Sequence, residues 1–387
     1  MNKRDDWENG GFGIYIHWPF CQAKCPYCDF NSHVSQSIDQ SRWKHAYLSE
    51  IDRLAAECGG RVLKSVFFGG GTPSLMDGDL VNAIIARILQ HWPAANDLEI
   101  TLEANPTSAE ASRFKQYHEA GVSRLSMGIQ ALNDPDLKAL GRLHSAEEAL
   151  RAFDIARGIF PRVSFDLIYA RQHQSLDDWR AELRRALSLG LDHLSAYQLT
   201  IEEGTAFGAR AKIGKLDGLP TEDLAVDMYD VTQELCDNAG LPAYEVSNHA
   251  SDLAQSRHNL VYWRYGDYLG IGPGAHGRLT LGGVKYATAT PLSPSLWLDQ
   301  VNQTGSGETA REEISSYDQA VEALMMGLRL SEGVSLARIK NLSNTAVNQE
   351  KLNEFKDLGL INIDGDRLSC TASGRPVLNG VLRGLLA

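Results

Sequence analysis

A chain of 387 residues has room for one large domain and a smaller one. Its 43% hydrophobic and 22% charged content is that of an ordinary water-soluble globular protein, which excludes a fibrous or largely disordered chain. A formal net charge of −12 excludes bulk attraction to nucleic acid or to anionic lipid, leaving only a local basic patch for either.

The N-terminal residues, Met1-Asn-Lys-Arg-Asp-Asp-Trp-Glu8, hold no apolar signal core, and no apolar run is long enough to span a bilayer. A first strand is expected over Phe12–Trp18. It leads into Cys21-Gln-Ala-Lys-Cys25-Pro-Tyr-Cys28. Further strands are expected at 65–69, 98–104, 124–130, 163–169 and 193–200. Helical spacing fills the gaps, at 40–58, 79–92, 109–120, 146–158 and 176–189. Ser145 and Glu148 form a capping box for the fourth helix. Six β–α repeats predict an α/β fold with a parallel sheet curved into a partial (β/α)6 barrel.

The second half reads differently. A glycine-rich stretch at 202–221, with Arg210, Lys212 and Lys215, reads as a solvated crossing loop. A helix is expected at 222–238 and a strand at 243–247. Arg257-His258-Asn259-Leu-Val-Tyr262-Trp263 and Gly270-Ile-Gly-Pro-Gly-Ala-His276-Gly277 are dense in aromatics, glycines and histidines. The chemistry alone reads this block as a loop packed by its own aromatics, with His258 bonded to backbone. The competing reading is an axial ligand to heme iron. Helices at 317–330, 335–342 and 348–358, a hairpin at 360–370 and a last helix at 374–386 predict a small winged-helix-like α+β module. No basic recognition face accompanies it, so packing or partner contact is expected and nucleic acid is not. The division expected is 1–240 for the barrel, 241–310 for an extension, and 311–387 for the C-terminal module.

Ligands of parallel sheets bind beyond the carboxyl ends of the strands. The cysteine triplet follows the first strand, and Gly69-Gly70-Gly71-Thr72-Pro73 follows the second. Glu103, Gln130 and Asp166 stand on the third, fourth and fifth, and Tyr197 with Gln198 on the sixth. Consecutive glycines let backbone approach a ligand without Cβ obstruction. A carboxylate such as Glu103 can take both hydroxyls of a ribose. Gln130, Arg142 and Asp166 can clamp an amino acid and a ribose, although an arginine placed like Arg142 is more commonly a surface residue flanking a helix. The triplet itself has three readings: free thiols in a reducing cytosol, a zinc site completed by His17 or His33, or a [4Fe–4S] cube with one open iron. Cys58, Cys236 and Cys370 are scattered, which is not a disulfide framework.

Tyr15, the triplet Cys21/Cys25/Cys28 with Tyr27, and the Gly-Gly-Gly-Thr-Pro run together resemble the radical S-adenosylmethionine superfamily. Tyr15-Ile-His-Trp-Pro-Phe-Cys21, Ser126-Met-Gly-Ile-Gln130, Asp166-Leu-Ile-Tyr169 and the Gly-Ile-Gly-Pro-Gly-Ala-His run are similar to its branch of oxygen-independent coproporphyrinogen III oxidases and heme chaperones. The resemblance covers nearly the whole chain. It implies that Cys21, Cys25 and Cys28 hold a [4Fe–4S] cluster. It also implies that Tyr15, Tyr27, Gly70, Gly71, Thr72, Glu103, Gln130, Arg142 and Asp166 line an S-adenosylmethionine site. Within the branch, Phe30 stands where the decarboxylating enzyme has a further cysteine, and that enzyme has a longer N-terminal region. His258-Asn-x-x-Tyr262-Trp263 matches the motif associated with heme in the chaperones. The resemblance therefore implies heme binding at His258, transfer to membrane-bound hemoproteins such as respiratory cytochromes, and compatibility with a homodimer. The cytoplasm is the expected location, with peripheral contact at the inner face of the cell membrane. Coproporphyrinogen III decarboxylation to protoporphyrinogen IX is the alternative. Arg171-Gln-His173 departs from the Gly- or Pro-containing turn usual in the family.

Overall fold

The computed structural model describes residues 5–35 and 37–386. Residues 1–4, part of the N-terminal stretch considered above for a signal core, lie outside the described residues. The six expected strands are all present: β1 (Phe12–Trp18), β2 (Leu63–Gly70), β3 (Ala94–Ala104), β4 (Arg124–Gln130), β5 (Arg162–Tyr169) and β6 (His193–Gln198). They pair in parallel and in sequence order. Between them run α1 (Gln40–Cys58), α2 (Gly78–His91), α3 (Ala146–Ile159) and α4 (Leu176–Leu187). Ser145 and Glu148 form the expected capping box on α3, and Ser175 with Asp178 forms a second one on α4.

The sheet is wider than six strands. After helix α5 (Glu222–Asn238), β7 (Asn248–Ala250) adds antiparallel beside β6. On the other flank β8 (Asp267–Ile271) pairs in parallel with β1, followed by antiparallel β9 (His276–Leu281), β10 (Val284–Ala289) and β11 (Ala310–Glu313). The result is one eleven-stranded sheet, to which the 241–310 segment contributes strands. Four local expectations are corrected. The stretch expected as a loop at 202–221 carries a helix, Ala206–Lys212, capped by Thr205. The helix expected at 109–120 breaks into Ser108–Ala111 and Phe114–Glu119. The strand expected at 243–247 is mostly bends, because the pairing with β6 is made by β7, which begins at Asn248. The block expected as a loop at 257–263 is a helix, α6 (Arg257–Trp263), whose N-cap Ser256 accepts the Asn259 N–H.

Alternation along the strands divides their side chains. In β4, Leu125, Met127 and Ile129 join the apolar core under the helices, whereas Arg124, Ser126, Gly128 and Gln130 face the barrel interior. The interior is thus polar, and the hydrophobic stabilisation comes from the strand–helix layer, where Trp18, Trp92, Trp179 and Trp297 are fully buried. The C-terminal module has its own core. Helices α7 (Ser316–Gly327), α8 (Leu336–Leu342), α9 (Gln349–Asp357) and α10 (Leu378–Leu385) surround a small antiparallel sheet of Val334–Ser335, Ile361–Asp364 and Arg367–Cys370.

Candidate binding and metal site

A cavity of about 660 Å³ opens at the carboxyl ends of the strands. It brings together Cys21, Cys25, Cys28 and Tyr27 of the loop after β1, and Gly70, Gly71 and Thr72 at the end of β2. Glu103, Gln130 and Asp166 enter from β3, β4 and β5, and Arg142 from the turn before α3. Eleven of the thirteen residues singled out in the sequence therefore meet in one place, from segments more than 140 positions apart.

The cysteine loop is closed at its base by backbone hydrogen bonds, His33 N–H to Pro19 O at 2.7 Å and Ser35 N–H to Cys21 O at 3.3 Å. The glycine run locks onto the same loop: Gly71 N–H donates to Trp18 O at 2.7 Å and Thr72 N–H to Phe20 O at 2.8 Å. This close approach requires glycine. A Cβ on Gly71 would lie 2.6 Å from Phe20 O and 3.0 Å from Cys21 Sγ, and Gly70 adopts a φ of +113°. A polar path then joins two of the cysteines. Thr72 Oγ1 lies 3.5 Å from Cys21 Sγ, and Asn105 Nδ2 lies 3.4 Å from Thr72 Oγ1. Arg142 Nη2 donates to Asn105 Oδ1 at 2.6 Å and to Gly128 O at 2.9 Å, while its Nη1 reaches Cys25 Sγ at 3.5 Å. Arg142 is thus a member of the cavity wall rather than a surface residue, and its fork explains why arginine serves here. Burial pushes the thiols of Cys21 and Cys28 up, so a bound metal is the partner that would stabilise their thiolates.

Deeper in, Asp166 accepts from Ser126 Oγ at 3.2 Å and from Ser164 Oγ at 3.3 Å. Burial raises its pKa nonetheless. Glu103 is pushed up to about 8, by burial and then by the nearby charge of Asp166, with the Gly70 N–H acting in the opposite direction. Gln130 sits at φ +71°, a conformation costly for a residue with a Cβ, and its buried Oε1 has no hydrogen-bond partner among the described residues. A strained backbone carrying an unpaired acceptor at a cavity wall is the signature of a group held ready for a ligand. The donor set fits the groups implied by the sequence. Three sulfurs on a closed loop suit an iron–sulfur cluster, and carboxylates with an amide and a guanidinium suit a ribosylated amino acid.

Two residues singled out in the sequence are not in the cavity wall. Tyr15 points its hydroxyl at His17 Nδ1, 3.0 Å away, and its ring stacks on Phe67 and His258. His258 is buried on α6 at the amino-terminal end of the barrel. Its Nδ1 is 2.8 Å from Ser65 Oγ and its Nε2 is 2.8 Å from Tyr262 OH. It is bonded to side chains, not to backbone, and neither nitrogen is presented to a ligand in this conformation. His17, one candidate to complete a zinc site, is likewise committed on both sides, to Tyr15 and to Asn31 O at 2.9 Å. Arg171, where the sequence departs from the family turn, is buried away from the cavity, paired to Asp136 and Glu182 at 2.6 Å each.

Asn105, which the sequence places with Glu103 at the end of the third strand, lines the cavity as well, whereas sequence reading missed Arg124, Ser126 and Ser195. The inward alternation of β4 from Gln130 back to Arg124 was the available signal for two of them.

Comparison with known proteins agrees with this geometry. Residues 15–186 match the model of the radical SAM superfamily, and residues 314–377 that of the HemN C-terminal domain. The heme chaperone HemW of Escherichia coli K12 is 36% identical over 97% of this chain and 98% of its own length. HemW of Mycobacterium tuberculosis H37Rv is 33% identical over 97% and 95%. The bovine mitochondrial radical S-adenosyl methionine domain-containing protein 1 is 38% identical over 97% and 87%. Coproporphyrinogen III oxidase (HemN) from Escherichia coli, described as a radical SAM enzyme, superimposes with a TM-score of 0.82 at 21% identity, over 97% of this chain and 90% of that one, which shows the shared fold. The chain belongs to the radical SAM family that includes HemW and the mitochondrial radical S-adenosyl methionine domain-containing protein 1.

Proposed function

We propose that this protein is a heme chaperone that carries a [4Fe–4S] cluster and S-adenosylmethionine and delivers heme to membrane-bound hemoproteins. The observation that carries the reading is similarity over nearly the full length to proteins named heme chaperones, combined with the convergence of Cys21, Cys25, Cys28, Glu103, Gln130, Arg142 and Asp166 on one cavity. Cys21, Cys25 and Cys28 would hold the cluster. A cluster with one open iron supplies a single electron and an attachment point for an amino acid moiety.

The protein's own groups do the rest. Glu103 stands ready for ribose hydroxyls, Gln130 offers a carbonyl oxygen unpaired among the described residues, and Asp166 accepts from Ser126 and Ser164. Arg142 fixes the Cys25 side of the loop against Asn105, which ties the cluster loop to the carboxyl end of β3. The Gly71 and Thr72 N–H groups hold the other side. Phe30 is exposed at the cavity mouth, where it adds an apolar rim and no sulfur.

Respiratory cytochromes are the clients this role suggests, reached from the cytoplasm at the inner membrane face, and a homodimer is compatible with it. Among the described residues no helix is long and apolar enough to cross a membrane. The test is an anaerobic titration of the cluster-reconstituted protein with hemin, read by the Soret band and by co-elution on a sizing column. A saturable, stable complex is expected. Failure to bind would sink the reading and make a coproporphyrinogen III assay with reductant the decisive measurement for the alternative.

A further inference from the structure

A heme iron needs an imidazole nitrogen that is accessible and not already bonded, beside an apolar surface for the macrocycle. The sequence contains 11 histidines. His258, His17 and His193 have both ring nitrogens engaged, the last by Ser164 Oγ at 2.7 Å and Tyr244 OH at 3.0 Å. His144 and His249 are buried. His91 pairs with Asp52, His118 lies against the Val122 carbonyl, and His173 pairs with Asp217. His45 is exposed on the helical α1.

His276 and His33 differ from these in standing on segments beside the cluster loop, His33 with one ring nitrogen, Nε2, engaged by Asn31. Both are exposed, and their segments, 243 positions apart, meet beside the cluster loop through Asn31, Pro273 and Gly274. Asn31 joins them. Its Oδ1 lies 3.2 Å from His33 Nε2, and its Nδ2 donates to Pro273 O at 3.0 Å and Leu292 O at 2.9 Å. Gly274, two residues before His276, packs so closely on Asn31 that a Cβ there would lie 2.3 Å from Asn31 Nδ2. The His276 ring has no hydrogen-bond partner among the described residues. Both imidazoles also bear on the charge of the same buried ring, His17. Around Asn31 stand exposed apolar side chains that a soluble surface would otherwise hide: Phe30 and Val34, each 58% exposed, and Leu292, 64% exposed. Phe30 also lines the cavity mouth, so the patch is continuous with the cofactor site, and the exposed Lys24 on the same loop offers a cation for a carboxylate.

We propose that heme sits on this rim, with His276 as the axial nitrogen, His33 as the neighbouring imidazole, and Phe30, Val34 and Leu292 against the macrocycle. The proposal rests on the heme-chaperone reading and names the ligand site for it. It places heme beside the cluster loop, where loading of the cofactor cavity would be felt through Phe30. It leaves His258 a positioning residue, holding Ser65 and Tyr262 at the barrel floor.

The test compares hemin titrations of the reconstituted wild-type protein with those of His276→Ala, His33→Ala, the double variant, Leu292→Asp and His258→Ala. His276→Ala is expected to abolish the ligand-field shift of the Soret band and to weaken binding by about tenfold or more. The double variant should lose more, and Leu292→Asp should weaken binding while keeping the wild-type spectrum. His258→Ala should keep the wild-type spectrum. Wild-type-like spectra and affinities for the His276 and double variants would overturn the proposal while the chaperone reading stands. Loss of the wild-type spectrum in His258→Ala alone would overturn it in favour of His258. Absence of hemin binding by the wild-type protein would overturn the chaperone reading and the proposal with it.

Discussion

Ser65 Oγ lies 2.8 Å from His258 Nδ1, which ties β2 to α6 across 193 positions of sequence. The other ring nitrogen is equally close to Tyr262 OH, so the imidazole bridges two hydroxyls in a closed interior. Burial depresses its pKa to about 3. Removing the ring strands buried hydroxyls, each costing about 1–3 kcal/mol. His258→Ala should therefore lower the denaturation midpoint at neutral pH by an amount worth a few kcal/mol, on the order of one to two unsatisfied groups. The sign of the pH effect follows from the depressed pKa. The folded state binds fewer protons than the unfolded chain between about pH 3 and 6.5, so this ring's contribution is present above 6.5 and lost as the pH falls through that window. Urea titrations of wild type and variant across it should show a flatter acid limb in the variant. An unchanged midpoint would mean that the bridge is not structural.

Glu103 behaves in the opposite sense. Its carboxyl is held neutral up to about pH 8, whereas the unfolded chain releases the proton near 4.5. Stability of the ligand-free protein should thus fall as the pH rises from 4.5 to 8. Glu103→Gln removes that loss, so the ligand-free variant should be more stable than wild type at pH 8.5. Its affinity for S-adenosylmethionine should drop about tenfold or more, equivalent to roughly 1.4 kcal/mol. Thermal scans and isothermal titration read the two effects separately. Unchanged affinity would remove Glu103 from the binding site.

Gly71 tests the lock between the glycine run and the cysteine loop. A valine there would drive its Cβ into Phe20 O and Cys21 Sγ. Gly71→Val should leave the far-ultraviolet circular dichroism near wild type, because the clash is confined to the mouth of the barrel. Iron and sulfide bound per chain after anaerobic reconstitution should fall severalfold. Full cluster content would show that the loop can shift at little cost.

Arg142 connects Cys25, Asn105 and Gly128 with one guanidinium. A lysine keeps the charge and loses the fork. Arg142→Lys should retain most of its iron yet bind S-adenosylmethionine about tenfold more weakly. If the variant matched wild type in both measurements, charge rather than geometry would be the operative property.

The cofactor site was largely legible in the linear chain because short-range chemistry encodes it. Three cysteines on one loop need no tertiary contact to be recognised, and the strands that carry Glu103, Gln130 and Asp166 follow from alternation and β-branched runs. The β1 and β4 boundaries, the α1 and α5 boundaries and the α3 capping box were all readable from local pattern. What lay beyond the sequence was decided by contacts between distant segments. Periodicity does not say that β8 pairs with β1, so the sheet's width of eleven strands and the placement of Asn31 against Pro273 and Leu292 were invisible. The same holds for His258. Seven residues dense in aromatics look like a loop, yet burial against Ser65, Phe67 and Tyr15 makes them a helix, and a histidine that reads as a ligand becomes a bridge between hydroxyls. Residue type and spacing fix what chemistry a side chain can perform; only packing decides whether its polar atoms are left free to perform it.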